Sequence, residues 1–155
     1  MNKIIIERNK KLVLKKVISQ EYDGRGYQDI DRDINNFLKR IRTLNVQTFG
    51  PLVIHNKGTI ISEENTSISS YNLYIQAHDY KQYKKQFNIL DEVVVEYCLY
   101  TRFEGKPEYL QLAFNKLEIY EYEEDIITRG DIYMVSLEDS EDHIVMDIFK
   151  PMKVI

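Results

Sequence analysis

FEGKPEYLQLAFNKL, at Phe103–Leu117, decides the fold that the sequence predicts. Gly105 and Pro107 precede a helical pattern, and proline suits the first turn of a helix because its missing N–H would have no partner there. Apolar residues then recur at helical spacing and predict a buried stripe of Leu110, Ala113, Phe114 and Leu117. Alternating or apolar runs around this helix predict strands at Asp91–Arg102, Asp131–Leu137 and His143–Lys150. The last third of the chain is therefore predicted to be one βαββ unit.

The first half of the chain predicts the same order of elements. Patterns at Ile4–Ile6 and Leu12–Ile18 fit one bent strand or a hairpin, ended by a turn at Asp23–Gly26. A helix follows, with acidic residues in its first turn, basic residues in its last, and an apolar stripe of Ile30, Ile34, Phe37, Leu38 and Ile41. Two short strands with a polar loop between them complete the order: Leu52–His55, the loop Asn56–Ser67, and Ser69–Gln76.

One sequence offset aligns the two halves. It places Ile30 on Leu110, Ile34 on Phe114, Phe37 on Leu117 and Gly50 on Gly130. Two such copies predict an α+β fold: two βαββ repeats with pseudo-twofold symmetry, forming an antiparallel sheet with both helices on one face. We expect a single domain over residues 1–155, with repeat one at about 1–76, a linker at about 77–90 and repeat two at about 91–155.

Length and composition narrow the class of protein. A chain of 155 residues is the size of one ordinary domain, and a net charge of −4 argues against a dedicated nucleic-acid binder. A single cysteine, Cys98, excludes an internal disulfide. Only three consecutive apolar residues open the chain, which is too few for a signal-peptide core or a membrane span. We therefore expect a cytoplasmic protein that binds neither nucleic acid nor membrane, with an oligomeric state that the sequence leaves open.

Residues that commonly carry catalysis or bind metals are not grouped in the sequence. His55, His78 and His143 are far apart and have no neighbouring ligand pair, so a zinc site is not expected. Cys98 has no sequence signature of a partner base and is interpreted as a buried small hydrophobic residue. The sequence thus predicts no catalytic residues, no metal and no cofactor.

The order and spacing of these motifs resemble the gyrase-inhibitor-like small-molecule-binding domain, which is also the effector-binding domain of some bacterial transcription regulators. The stretches that carry the resemblance are FEGKPEYLQLAFNKL, GDIYMVSL, HIVMDIFKPMK and TFGPLVIHN. The resemblance implies a cleft between the two repeats that takes lipophilic, often cationic, compounds. No helix-turn-helix pattern precedes Gly24, which favours the stand-alone form of the domain.

The chain departs from this family at one strand. Where the family commonly has aromatic-Glu-aliphatic-Tyr, with the Glu meeting the cation of a ligand, this sequence has Met134 and Ser136 in place of the Glu and the Tyr. The resemblance therefore implies a more apolar, weakly polar floor for the cleft. His55 aligns with a family Tyr and is a further pocket candidate.

Glu96 is the residue that could replace the missing acid. It is the one charge inside VVVEYCLY, and strict alternation predicts that it shares a strand face with Cys98 and Tyr100. Such a carboxylate lies either at a sheet edge in water or in a pocket that raises its pKa.

These residues define a candidate ligand-binding face of Asn72, Tyr74, Glu96, Tyr100, Met134 and Ser136. Tyr74 and Tyr100 would be its walls and Glu96 its polar anchor, holding a small lipophilic or weakly polar molecule without catalysis. The same residues could instead be the solvent face of an open sheet. An alternative function is a protein-interaction module that binds a toxin, a secretion substrate or gyrase, and a small-substrate hydrolase is a third option.

Overall fold

The structure, a computed structural model, describes residues 3–61 and 63–153. Its strands and helices follow the order β1 (Ile6–Gly26), α1 (Ile30–Thr43), β2 (Thr48–Ile61), β3 (Ser67–Ala77), β4 (Asn88–Gly105), α2 (Leu110–Glu123), β5 (Ile132–Asp139) and β6 (Ile144–Pro151). The strand pairs β1–β3, β2–β3, β4–β6 and β5–β6 are all antiparallel. The prediction of an α+β fold with antiparallel strands is confirmed.

The chain divides into two compact units. One, here called the central unit, is Leu14–Val93, and the other, the terminal unit, joins Met1–Val13 to Val94–Ile155. Each unit contains one helix and the two strands that follow it. The boundaries differ from the predicted repeats, because residues up to Val13 group with the last third and the predicted linker at about 77–90 groups with the central unit.

The two helices end in the same way. At the end of α1, the N–H of Val46 donates to the carbonyl of Ile41 at 3.2 Å, and Asn45 adopts a left-handed backbone with φ of 55°. At the end of α2, the N–H of Ile126 donates to the carbonyl of Glu121 at 2.9 Å, and Asp125 has φ of 54°. Both are Schellman-type ends, in which a left-handed residue lets the chain reverse and satisfy a last-turn carbonyl. The offset that aligns the two halves in sequence therefore also relates the two helix ends.

The helices pack as their stripes predict. Phe37 and Ile41 of α1 lie in a buried cluster with Ile18, Leu73 and Ile75 from β1 and β3. Ala113 and Leu117 of α2 lie in a second buried cluster with Leu99, Phe103 and Ile148 from β4 and β6. The strands of each unit, here called the central sheet and the terminal sheet although all six strands that the structure describes belong to one sheet, therefore have one face against the helix of that unit and one face away from it.

Several boundaries differ from the sequence prediction. The predicted polar loop after His55 is largely strand, because β2 continues to Ile61 and pairs with β3 as far as Ile61 opposite Ser67. β1 is one long strand rather than a hairpin, with left-handed backbone at Asn9 and Lys16. Such residues interrupt the alternation of a strand and let it bend without ending.

The predicted linker carries core residues. A short 3₁₀ turn spans Tyr80–Tyr83, and the side chains of Tyr83 and Phe87 are buried in the cluster beneath α1. The ring of Phe87 meets that of Phe37 edge-on at 5.6 Å between centroids. This segment is thus an ordered crossover that completes the core of the central unit.

Candidate functional site

The face of the central sheet away from α1 carries three neighbouring polar and aromatic side chains. Asn72 of β3 is paired with His55 of β2, and Tyr74 is paired with Val53 of β2 and Ser19 of β1. Directly paired residues project from the same face of an antiparallel sheet, and alternation puts Asn72 and Tyr74 on one face. Leu73 and Ile75, between and beyond them, face α1. Two of the predicted site residues, Asn72 and Tyr74, are therefore brought together.

These three side chains form a hydrogen-bonded group, here called the His55–Asn72–Tyr74 cluster. The hydroxyl of Tyr74 lies 3.0 Å from Nδ2 of Asn72, which donates to it, and 3.3 Å from Nδ1 of His55. The rings of His55 and Tyr74 are nearly parallel with centroids 6.1 Å apart. A hydroxyl can accept one hydrogen bond and donate another, so the geometry fits a chain from Asn72 through Tyr74 to His55.

His55 and Tyr74 of the cluster are buried, and Asn72 is partly buried. The side chains of His55, Tyr74 and Ser19, and of Val17 and Val53 on the same face, are all largely removed from water. Tyr74 is therefore not on a solvent face, whereas the residue Asn72 is partly buried. A buried polar face requires its hydrogen-bonding groups to be paired.

One atom of this cluster is not paired. Oδ1 of Asn72 is buried and accepts no hydrogen bond from the described residues. The amide nitrogen of Asn72 donates to the hydroxyl of Tyr74 at 3.0 Å. A buried acceptor without a donor costs about 1–3 kcal/mol, and a bound donor group would recover that cost.

The face of the terminal sheet away from α2 carries a second polar and aromatic group. The hydroxyl of Tyr100 donates to Oδ1 of Asp147 at 2.7 Å, and the guanidinium of Arg102 holds both carboxylate oxygens at 2.7 and 3.0 Å. The ring of Tyr100 lies against that of Phe149, with centroids 5.0 Å apart. Arg102 and Asp147 are directly paired in the β4–β6 register, as are Tyr100 and Phe149. Sequence reasoning found Tyr100 but missed Arg102 and Asp147.

Tyr100 also lines an open depression of about 480 Å³ in the terminal unit. The depression is bounded by Lys3, Ile5, Glu7, Tyr100, Arg102 and Glu104. Burial, and then the hydrogen bond to Asp147, raises the pKa of Tyr100 to about 12. The phenol is therefore neutral at physiological pH and serves as a hydrogen-bond donor rather than as a base.

Glu96 does not behave as the predicted polar anchor. Its side chain is 53% exposed and lies 3.7 Å from Nζ of Lys11. Tyr97 has a left-handed backbone with φ of 58°, which interrupts the alternation between Glu96 and Cys98 and separates Glu96 from the face of Tyr100. The pocket interpretation of Glu96 is therefore wrong, and the edge-in-water interpretation agrees with its exposure.

Met134 and Ser136 do not accompany Tyr100. They are paired with Ile148 and Met146 of β6, whose side chains belong to the cluster beneath α2. Tyr100 is instead on the face of Phe149. The positions of β5 that share that face are Tyr133 and Val135, one residue before each predicted position. Successive residues of a strand project from opposite faces, so Met134 and Ser136 lie on the face toward α2 rather than on the face of Tyr100.

Cys98 is fully buried, as predicted. Burial raises the pKa of its thiol to about 11, so the thiol is neutral at physiological pH and is a poor nucleophile. Within residues 3–61 and 63–153, no group of three or more His, Cys, Asp or Glu side chains is arranged to hold a metal ion. Among the same residues, neither helix is long and apolar enough to cross a membrane.

Comparison with known proteins identifies the fold but not a family. No family model matches the sequence, and no curated protein matches it. Among solved structures, the EcmrR C-terminal domain superimposes with a TM-score of 0.66 at 7% identity, covering 99% of this chain and 98% of that domain. A hydrolase from Listeria innocua gives a TM-score of 0.51 at 9% identity, covering 97% and 92% of the two chains. The chain therefore has the fold of these proteins, and identities this low say nothing further about its activity.

Two other structural comparisons extend this result. EcmrR has also been solved in complex with DNA, and there the present chain spans 58% of the EcmrR chain with a TM-score of 0.65. The protein SAV2435, solved with bound tetraphenylphosphonium, gives a TM-score of 0.49 at 11% identity, covering 98% of this chain and 94% of that chain. At that score the likeness to SAV2435 supports no inference about this chain.

Proposed function

We propose that this chain is a non-catalytic binding module of the gyrase-inhibitor-like kind, which holds a small lipophilic or weakly polar molecule. The observation that carries the proposal is the buried, unpaired Oδ1 of Asn72 beside the phenol of Tyr74. An apolar ligand that bears one N–H or O–H group would complete this site, since its donor would pair with Oδ1.

Three further observations support the proposal. The fold is that of the C-terminal domain of EcmrR, a protein that has been solved on DNA. The thiol of Cys98 is buried and neutral, which removes the cysteine as a nucleophile. The polar groups of the His55–Asn72–Tyr74 cluster hold one another in fixed positions, and such preorganisation reduces the entropy lost on binding.

Tyr100 marks a second candidate binding surface, which lies within the terminal unit. Its ring lines the depression of the terminal unit, and its hydroxyl is held by Asp147 so that the ring cannot rotate freely. Glu96, Met134 and Ser136, which were predicted to share the site, are not included in the proposal because of their exposure and register.

Thermal unfolding with a compound library tests the proposal. The library contains neutral aromatic compounds with and without one N–H or O–H donor, together with lipophilic cations such as tetraphenylphosphonium. A ligand at about 100 times its Kd stabilises the folded state by about 2.7 kcal/mol, which raises the Tm by several degrees in a protein of this size. We expect the donor-bearing compounds to give the largest rises.

Asn72→Leu is the decisive variant. It removes the unpaired acceptor together with the hydrogen bond to Tyr74, so the ligand-induced rise in Tm should be lost, and the stability without ligand is measured alongside. Tyr74→Phe should reduce the rise, and Asn36→Leu, at an exposed position of α1, should leave it unchanged. The proposal is wrong if no compound in the library raises the Tm, or if Asn72→Leu keeps the full rise.

A further inference from the structure

The helix α2 exposes large apolar side chains to solvent. Leu112, Ile119 and Tyr122 are 45%, 57% and 86% exposed. They lie on the side of the helix opposite Ala113 and Leu117, which are fully buried against the sheet of the terminal unit. These exposed residues, together with Asn115 between them, are here called the α2 strip. The strip contributes nothing to the core of its own unit.

The spacing of the α2 strip is that of a helix-packing seam. Leu112, Asn115, Ile119 and Tyr122 follow one another at intervals of three and four residues, which is the a–d–a–d pattern of two heptads. Scattered single apolar residues on a surface are ordinary, but a continuous seam of this kind is typical of a surface that receives another helix. The other helix offers a contrast, because the solvent side of α1 presents Asp31, Arg32, Asn35, Asn36 and Lys39.

Acidic residues border the strip on both sides, and the one basic residue at its border, Lys116, donates to the carbonyl of Ile4. Glu118 and Glu123 occupy the g and e positions beside the seam, and neither makes an ion pair or hydrogen bond within the described part of the chain. By contrast, Glu121 is paired with Lys150 at 2.6 Å, on the side of the helix nearer the sheet. The two bordering acids are therefore available to an external partner.

The position of these acids on the helix also matters. The C-terminal end of a helix carries partial negative charge, so Glu123 in the last turn of α2 is unfavourable there. A basic group from a partner would offset both the helix dipole and the two carboxylates. The charge of the strip and the direction of the helix thus both select a cationic partner.

We propose that the α2 strip is a docking site for a basic amphipathic α-helix of another protein. The partner helix packs Leu- or Ile-like side chains against Leu112 and Ile119 and places Lys or Arg beside Glu118 and Glu123. A second copy of this chain is a poorer occupant, because pairing the strip with itself would bring acidic borders together, and like charges across a helix seam oppose association. This surface is independent of the proposed ligand site.

A pair of synthetic peptides tests the proposal on the whole chain. One peptide has three heptads with Leu at a and d and Lys at e and g, and the other replaces each Lys by Glu. Amide chemical-shift changes map the contact, and the titration gives its Kd at several salt concentrations. We expect the Lys peptide to shift resonances of α2, to bind more weakly as salt rises, and to bind more tightly than the Glu peptide.

Two variants of the strip and one matched control complete the test. Leu112→Gln with Ile119→Gln should weaken binding of the Lys peptide at least about tenfold. Gln is a good helix former, so α2 is retained. Glu118→Gln with Glu123→Gln should weaken binding and flatten its salt dependence. Ile60→Gln with Ile61→Gln removes two exposed apolar residues from β2 and should leave the Kd unchanged.

Several outcomes would overturn the proposal. They are equal binding of the Glu and Lys peptides, chemical-shift changes that do not centre on α2, an equal loss of affinity in the Ile60 and Ile61 control, and no binding at all. Sedimentation equilibrium tests whether a second copy of this chain occupies the strip. Self-association that is abolished by Ile119→Gln would show that the strip pairs copies of this chain instead.

Discussion

The hydroxyl of Tyr71 donates a hydrogen bond to the carboxylate of Asp33 and thereby joins the middle of β3 to the start of α1. Nε of Arg25 lies 3.1 Å from the same carboxylate, and the ring of Tyr22 stacks on Tyr71 with centroids 5.3 Å apart. Asp33 is buried, so these donors offset the cost of removing its charge from water. Burial, and then the hydrogen bond to Asp33, raises the pKa of Tyr71, which keeps the phenol protonated and able to donate.

Tyr71→Phe should therefore destabilise the protein. It removes one donor from a buried carboxylate while leaving the ring in place, and we expect a loss of roughly 1–3 kcal/mol in the free energy of unfolding. Urea unfolding followed by circular dichroism measures this loss. Tyr80→Phe is the matched control, since its hydroxyl donates to the exposed Asp91 at 2.7 Å, and its removal should change little. Equal effects of the two substitutions would contradict the role given to burial.

Ionisation of the Tyr100 phenol should make the free energy of unfolding fall as the pH rises in the alkaline range. The pKa of its phenol is raised from 10.0 to about 12 in the folded state, first by burial and then by the hydrogen bond to Asp147. Because the folded pKa lies above the unfolded one, this contribution is fully present below pH 10 and is lost as the pH rises through about 12. Tyr100→Phe should therefore lose less stability over this interval than the parent.

The measurement is the denaturant midpoint of both proteins as a function of pH. Tyr22 and Tyr71, whose pKa values are also raised, titrate in both proteins, so the difference between the two curves isolates Tyr100. Tyr122→Phe, at an exposed position, should follow the parent. Parallel curves for the parent and Tyr100→Phe would exclude the predicted coupling.

Lys16 should be sensitive to residue type although its side chain is exposed. Its φ of 56° places it in the left-handed region within β1, where a side chain that is branched at Cβ is most strained. Lys16→Val should destabilise by about 1–2 kcal/mol, whereas Lys16→Asn should be neutral or mildly stabilising, since Asn tolerates this conformation. Asn9 of the same strand already adopts it, with φ of 58°. Chemical unfolding of both variants measures the difference. Equal stabilities would contradict the left-handed backbone conformation at Lys16.

Glu96→Gln should change neither stability nor ligand binding. The carboxylate is largely exposed, and its contact with Lys11 is 3.7 Å long, so an effect under about 0.5 kcal/mol is expected. Asp147→Asn is the informative comparison, because Asp147 accepts hydrogen bonds from both Tyr100 and Arg102. This substitution should lower the free energy of unfolding by roughly 1–3 kcal/mol. Thermal unfolding of both variants, with and without any ligand found, measures the contrast. A large effect at Glu96 would restore it as a site residue.

The helices and their buried stripes were predictable because periodicity is a local property. The stripe through Phe37 and Ile41 and the stripe through Ala113 and Leu117 pack as their spacing predicts. The positions of Asn72 and Tyr74 were also predictable, because β3 alternates without interruption across them.

The remaining site residues depended on features that a sequence pattern does not contain. A left-handed residue at Tyr97 separates Glu96 from Tyr100, and nothing in VVVEYCLY marks that position as a bulge. The register between β5 and β6 decides the face of Met134 and Ser136, and register comes from tertiary pairing. Asp33 is a charged residue in the buried half of α1, where it is stabilised by Arg25 and Tyr71 from other segments of the chain.

The division of the chain has a consequence for the order in which the protein forms during synthesis. The central unit is continuous in sequence, so every residue that belongs to it has left the ribosome once Val93 has emerged. The terminal unit requires residues from both ends: the carbonyl of Ile5 accepts from Thr101 and that of Ile4 accepts from Lys116. Its first strand segment must wait for the last third of the chain, so translation builds the central unit first and closes the terminal unit last.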